Sequence, residues 1–160
     1  MHKIFDSMVL FIAQGAFSGR LPIAPGTAGT VVGVLLYLLL QHLSPLWYGA
    51  ACAGVAVLGT WAAGYADRIL GTKDSPSIVI DEIAGFLAAM LLIPFLWGYV
   101  VAGVILFRFF DIAKPGPVGW ADRRFKNARG WRQGVGIMLD DLVAALCALL
   151  VIALWRFLWP

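Results

Sequence analysis

The chain reads as all-α: a polytopic membrane helix bundle of about five spans, with a helical hairpin over residues 77–113. Three observations predict this class. Of its 160 residues, 61% are hydrophobic and only 13% are charged, whereas soluble domains run nearer half apolar and a quarter charged. The basic residues are clustered, with no Lys or Arg between Leu21 and Asp67, between Asp74 and Phe107, or between Gln133 and Trp155. Each window holds at least one span of roughly 20 residues, and the first two are long enough for a helical pair each.

The length suits one domain, residues 1–160. Residues 1–19 are expected to form a short helix on or entering the interface, with no removable signal peptide. Residues 20–27, RLPIAPGT, read as a Pro/Gly-rich loop. A first span is expected from about Ala28 to Leu43. His42, Ser44 and Pro45 make the turn. A second span follows from about Leu46 to Ala66, with Gly54, Gly59 and Gly64 for close packing. Asp67 to Ser75 is a polar loop.

Ser75-Pro76 is a good helix start, with Ser as cap and Pro at the first position. Asp81 and Glu82 would then fall in the second turn. One reading continues through Pro94 as a single kinked span from Ile83 to Phe107. The other turns back at Pro94 to Gly98, so that 77–93 and 97–113 each give about 25 Å of helix. The hairpin is preferred because it returns Asp81, Glu82 and Asp111 to one face, where a single span leaves them unpartnered at membrane depth. Lys114 to Gln133 reads as a basic loop. The last span is expected from about Gly136 to Leu158, opening with Asp140-Asp141 and ending in an aromatic belt of Trp155, Phe157 and Trp159. The charged loops then share one side, which the positive-inside rule makes cytoplasmic. A formal charge of +3 suits anionic lipid and is too weak and too clustered for nucleic acid.

Asp81, Glu82, Asp111, Asp140 and Asp141 carry the chemistry. Each sits about one turn inside an expected helix end. Acids at a helix N-terminus suit the macrodipole, but Asp111 lies near a C-terminus, where negative charge is unfavourable. Five acids on one face repel unless a cation holds them. The preferred reading is a divalent-metal site; the alternative is capping and ion pairing. All candidate donors are oxygens, which favours Mg²⁺ or Mn²⁺ over zinc. Cys52 and Cys147 read as small apolar residues. Arg108 and Lys114 lie three residues either side of Asp111, on one expected helix face. They are either ion-pair partners or a phosphate clamp. Acids for a metal beside cations for phosphate oxygens is the set phosphoryl transfer needs. In Pro25-Gly26-Thr27, Gly26 lets backbone approach a ligand and Thr27 can cap the next helix.

Several phosphatase chemistries are excluded. There is no Cys–x5–Arg loop, no pair of suitably placed His residues, and no aspartyl-phosphate or alcohol phosphatidyltransferase signature. An ion- or proton-coupled transporter is the alternative from another class, although its acids would sit near mid-membrane.

Four segments resemble the phosphatidylglycerophosphatase A family: Ser77 to Gly85 (SIVIDEIAG), Phe107 to Pro117 (FRFFDIAKPGP), Asp122-Arg123, and Gly136 to Asp141 (GIMLDD). Pro25-Gly26-Thr27 also matches, so the resemblance covers nearly the whole chain in order. It implies a Mg²⁺-dependent, multi-pass enzyme of the bacterial inner membrane with its site facing the cytoplasm. Such an enzyme hydrolyses phosphatidylglycerophosphate to phosphatidylglycerol and phosphate. By motif, the implied metal ligands are Asp81, Glu82, Asp111, Asp140 and Asp141. Asp81, Glu82, Asp111, Asp141 and Arg108 would be catalytic. Arg108, Lys114, Arg123 and Thr27 would bind substrate. Departures are confined to Gly116, the residues around Gly29, and Asn127 to Gln133.

Overall fold

In the computed structural model, residues 2–125 and 131–159 are described, and they hold seven α-helices and no strand. These are α1 (His2–Ala13), α2 (Pro25–Leu40), α3 (Pro45–Leu70), α4 (Ile80–Ala89), α5 (Trp97–Ala113), α6 (Pro117–Phe125) and α7 (Trp131–Leu158). Lys126 and Arg129 of the basic stretch lie outside the described residues.

The shortest of the five bundle helices is the innermost. In α4, Ile80, Ile83, Ala84, Gly85, Phe86, Leu87 and Ala89 are all buried, and it packs on α2, α3, α5 and α7. Gly85 makes this possible on one side, because a Cβ there would lie 2.6 Å from the Phe107 ring of α5. The outer helices carry their apolar residues outward as well. Val31, Leu35 and Leu39 of α2, and Leu146, Leu150 and Leu154 of α7, are exposed at one-turn spacing. Continuous apolar outer faces of this kind are unfavourable in water and match lipid.

The hairpin is present: α4 and α5 run back on each other, and Glu82 at the start of one lies 3.7 Å from Arg108 near the end of the other. Its first arm differs from expectation. The helix starts at Ile80, with Asp81 and Glu82 in its first turn, and Ser75-Pro76 are in the preceding loop. The cause is a long-range contact. The Ser75 amide donates to Asp67 Oδ1 at 3.0 Å, and the Val79 amide to the Ala13 carbonyl at 2.9 Å. Those bonds fix an irregular strap where local signals favoured a helix cap.

Two further expectations are corrected. The stretch 114–133 is not one loop, since α6 occupies its middle and buries Val118, Gly119 and Ala121. The last helix already includes Trp131, so Asp140-Asp141 lie well inside it and not at its opening. Its early start follows from packing: Gly134 sits directly against the Thr60 carbonyl of α3, where any Cβ would collide. The macrodipole argument therefore does not apply to Asp140 and Asp141.

By length and apolarity, α3 and α7 can each cross a membrane, which supports membrane association. At 16 and 17 residues, α2 and α5 run only about 24–26 Å, and α4 about 15 Å. Five full-length spans are thus not present as such. Trp155, Phe157 and Trp159 are exposed at the end of α7, far from its acids.

Candidate active site

One end of the bundle opens into a cavity of about 760 Å³. Of the chain's nine acids, seven line it: Asp74, Asp81, Glu82, Asp111, Asp122, Asp140 and Asp141. Lys73, Arg108 and Lys114 are the lining cations, so the formal balance, three minus seven, is four negative charges.

The acids divide by partner. Carboxylate oxygens of Asp81, Glu82 and Asp141 lie within 4.8 Å of one another. Asp81 Oδ1, Glu82 Oε2 and Asp141 Oδ2 are each buried without a hydrogen-bond partner. Leaving such atoms unpaired is costly, and like charges this close repel. A hard divalent cation would relieve both problems with oxygen ligands alone. The donor set therefore fits Mg²⁺.

Asp111 and Asp140 are held differently. Asp111 Oδ2 accepts from Arg108 Nη1 at 2.6 Å, the expected one-turn pair. Arg108 also faces Glu82, and its Nε is buried without a partner. Lys114 does not share that face. Its backbone turns left-handed at φ 45°, and its Nζ donates to Asp122 Oδ1 and Asp140 Oδ2, both at 2.6 Å. Burial works against the Lys114 charge, but these two hydrogen bonds outweigh it and hold the ammonium above its ordinary range.

Gly26 closes the cavity from α2. A Cβ there would collide with Glu82 Oε1 and come within 3.0 Å of Arg108 Nη2. Its neighbour Thr27 is exposed and does not line the cavity. Nor does Thr27 cap the helix, which starts at Pro25 behind a left-handed Ala24 with no side-chain cap. Arg123 is likewise exposed on α6 and off the cavity wall.

Sequence reasoning passed over Asp67. It is 1% exposed and accepts from Thr72 Oγ1, the Asp74 and Ser75 amides, and Gln133 Nε2 at 2.6–3.0 Å. It thereby fixes Lys73 to Pro76 as one cavity wall and ties α3 to α7. The signal was available: like Asp111, it is an acid near a helix C-terminus, where the dipole disfavours it.

Comparison with known proteins places the chain in a family. The family model described as "PgpA: Phosphatidylglycerophosphatase A" matches residues 11–156. A Haemophilus influenzae protein named phosphatidylglycerophosphatase A is 38% identical over 88% of this chain and 84% of its own length. The Escherichia coli protein of the same name is 32% identical over 93% of this chain and 84% of its own. A Bacteroides thetaiotaomicron protein, provisionally named a phosphatidylinositol-3-phosphatase, is 36% identical over 92% and 93%. No solved structure matches. The family match takes in every residue of the acidic cavity, and the chain belongs to the phosphatidylglycerophosphatase A family.

Proposed function

We propose that the protein hydrolyses the terminal phosphate monoester of phosphatidylglycerophosphate, releasing phosphatidylglycerol and phosphate. The observation that carries this reading is the trio of unpartnered carboxylate oxygens of Asp81, Glu82 and Asp141 beside the unpartnered Nε of Arg108. Asp81, Glu82 and Asp141 would hold Mg²⁺, with Asp111 and Asp140 as flanking acids. The ion would supply charge neutralisation at the phosphate and Lewis-acid polarisation. Arg108, steadied by Asp111, would direct its fork at phosphate oxygens. Lys114 would keep Asp140 in place while adding positive charge at the cavity rim.

The hydrolysis balances simply. A water oxygen bonds to phosphorus and the phosphorus–oxygen bond to the head group breaks. The water's proton leaves on the alcohol, carried by a cavity carboxylate. Water as the direct nucleophile and a carboxylate as a transient one are both compatible with this site.

In the membrane, we place the cavity at the cytoplasmic face of the bacterial inner membrane. All five bundle helices would lie in the bilayer. The short α4 is sheltered by its neighbours, as backbone ending at membrane depth must be. Arg20, Arg68, Lys73 and Lys114 lie toward the cavity end, in keeping with the positive-inside rule. The transporter alternative finds no support in the family match. The relatives' names suggest a substrate class: a phosphate monoester on the head group of a glycerophospholipid, whose head group is itself joined through a phosphodiester.

Purified protein in mixed micelles should release phosphate from phosphatidylglycerophosphate with Mg²⁺, and lose that activity in EDTA. Failure to release phosphate would overturn the activity. Undiminished release in EDTA would overturn the metal.

A further inference from the structure

The geometry points to Arg20 as the residue that binds the phosphodiester of the lipid substrate while the terminal monoester occupies the acidic cavity. The inference rests on the lipid-phosphatase reading and names a residue that selects its substrates.

Arg20 ends a short 3₁₀ turn, Ser18–Arg20. Its Nε donates to Gln14 Oε1 at 2.7 Å, and its guanidinium carbon lies 4.1 Å from the centre of the Phe17 ring. Gln14 is 3% exposed, and its Nε2 donates to Ser77 Oγ at 3.0 Å. One edge and one face of the guanidinium are therefore fixed, which leaves its terminal amino groups for a ligand. A planar fork of this kind matches two phosphate oxygens.

Arg20 also differs from the cavity cations. Arg108 and Lys114 are each paired with two acids. Arg20 is steadied by a neutral amide and has no acid partner among the described residues, so its charge is not spent within the protein. The backbone beneath it is strained. Gly15, Ala16 and Phe17 have φ of 52°, 54° and 67°, a left-handed run that is costly for the two non-glycine residues. Phe17 is 38% exposed, so the strain serves the core little. It does supply the platform under Arg20.

The location suits a lipid. The hollow beside Arg20 shares Pro25, Ser75 and Pro76 with the acidic cavity, so the two sites have a common wall. A small polyol head group would bridge that wall, with one phosphate on each side. Leu21 and Ile23 follow directly and are 53% and 83% exposed. These apolar side chains can enter the acyl region and hold Arg20 at the level of the phosphodiesters. A monoester attached straight to diacylglycerol has no charge to offer there.

The test uses the full chain in mixed micelles and compares wild type with Arg20→Ala. Phosphatidylglycerol keeps the diester and lacks the monoester; inorganic phosphate represents only the monoester. In the variant, KM for phosphatidylglycerophosphate and Ki for phosphatidylglycerol should each rise about tenfold or more. Ki for inorganic phosphate should stay within about twofold of wild type. Arg20→Lys, which keeps the charge and loses the fork, should fall between. Unchanged inhibition by phosphatidylglycerol would overturn the assignment. So would equal weakening of both inhibitors, which a disturbance passed through Gln14 and Ser77 would produce. A wild-type protein that releases no phosphate from phosphatidylglycerophosphate or phosphatidylinositol 3-phosphate would instead sink the functional reading, and this inference with it.

Discussion

The two ends of the bundle are built from the same helices and treat buried polar groups in opposite ways. At the cavity end, Asp81, Glu82, Arg108 and Asp141 each bury an atom with no partner. At the other end, Tyr48 donates its hydroxyl to the Leu87 carbonyl at 2.8 Å, and Gln41 donates to the Leu38 carbonyl at 3.2 Å. The far end finishes its helices with neutral hydrogen bonds. The cavity end leaves single atoms of charged groups without a partner, an arrangement that makes sense only with a ligand. Unpartnered atoms of charged groups therefore mark the site, since the far end's one buried unpartnered side-chain atom among the described residues is the neutral Tyr37 hydroxyl.

Charge removal at the cavity end should have the largest effect. Asp81→Asn and Asp141→Asn keep the shape and lose the anion. Each should cost at least about a thousandfold in kcat/KM, since a divalent ion contributes several kcal/mol. Stability without Mg²⁺ should hold or rise, because mutual repulsion is relieved. Mg²⁺ should raise the melting temperature of the wild type and not of these variants; a hundredfold excess over Kd is worth about 2–3 kcal/mol. A variant that keeps both the turnover and the Mg²⁺ shift would remove that acid from the ligand set.

Arg108→Lys should follow. The point charge survives and the fork does not, so kcat/KM should fall roughly 30- to 1,000-fold, about 2–4 kcal/mol. If Arg108 only pairs with Asp111 and Glu82, the variant would melt earlier and keep its turnover, which would sink the phosphate role.

Two glycines sharpen the comparison at intermediate size. A methyl on Gly26 meets Glu82 and Arg108 at the ends of flexible side chains. Gly26→Ala should therefore spare the fold and misplace the site, with a loss on the order of a hundredfold in rate. At the far end, nothing lies within 4 Å of a Cβ on Gly98. Gly98→Ala should leave turnover unchanged and shift stability by at most about 1 kcal/mol. Equal losses in the two variants would show that the ends are not separable.

The same contrast explains what the sequence disclosed. Composition and windows free of Lys and Arg located every bundle helix, because lipid-facing and core residues are both apolar and the signal adds up along each span. The second hairpin arm, 97–113, matched its bounds because nothing outside it competes for its backbone. The first arm lost its opening turn to Asp67, whose bonds to Ser75 and Asp74 join positions that no local pattern links. Asp81, Glu82, Arg108 and Asp111 were readable from hairpin geometry. The swing of Lys114 toward Asp122 and Asp140 was not, since it depends on one left-handed residue and on α6. Gln14 and Arg20 carry no motif; only their folded proximity to Ser77 relates them to the site.

The smallest effects should come from two tyrosines at the far end, whose rings meet edge to face at 6.1 Å. Both are buried, with Tyr37 2% and Tyr48 6% exposed, so removing either hydroxyl changes little surface. Their hydroxyls differ in satisfaction. Tyr48 serves the Leu87 carbonyl in the last turn of α4, which otherwise has only the Met90 amide at 3.3 Å. Tyr48→Phe leaves that carbonyl poorly served and should cost about 1–2 kcal/mol, a few degrees in melting temperature. Tyr37 buries a hydroxyl with no partner, so Tyr37→Phe should be neutral or stabilising by up to about 1 kcal/mol. Neither should alter kcat/KM by more than about twofold, because α4 meets the cavity at its other end. A tenfold fall in turnover for Tyr48→Phe with an unchanged melting temperature would mean that the end of α4 steers Asp81 and Glu82 along the helix. The far end would then belong to the catalytic device, and the contrast between the two ends would fail.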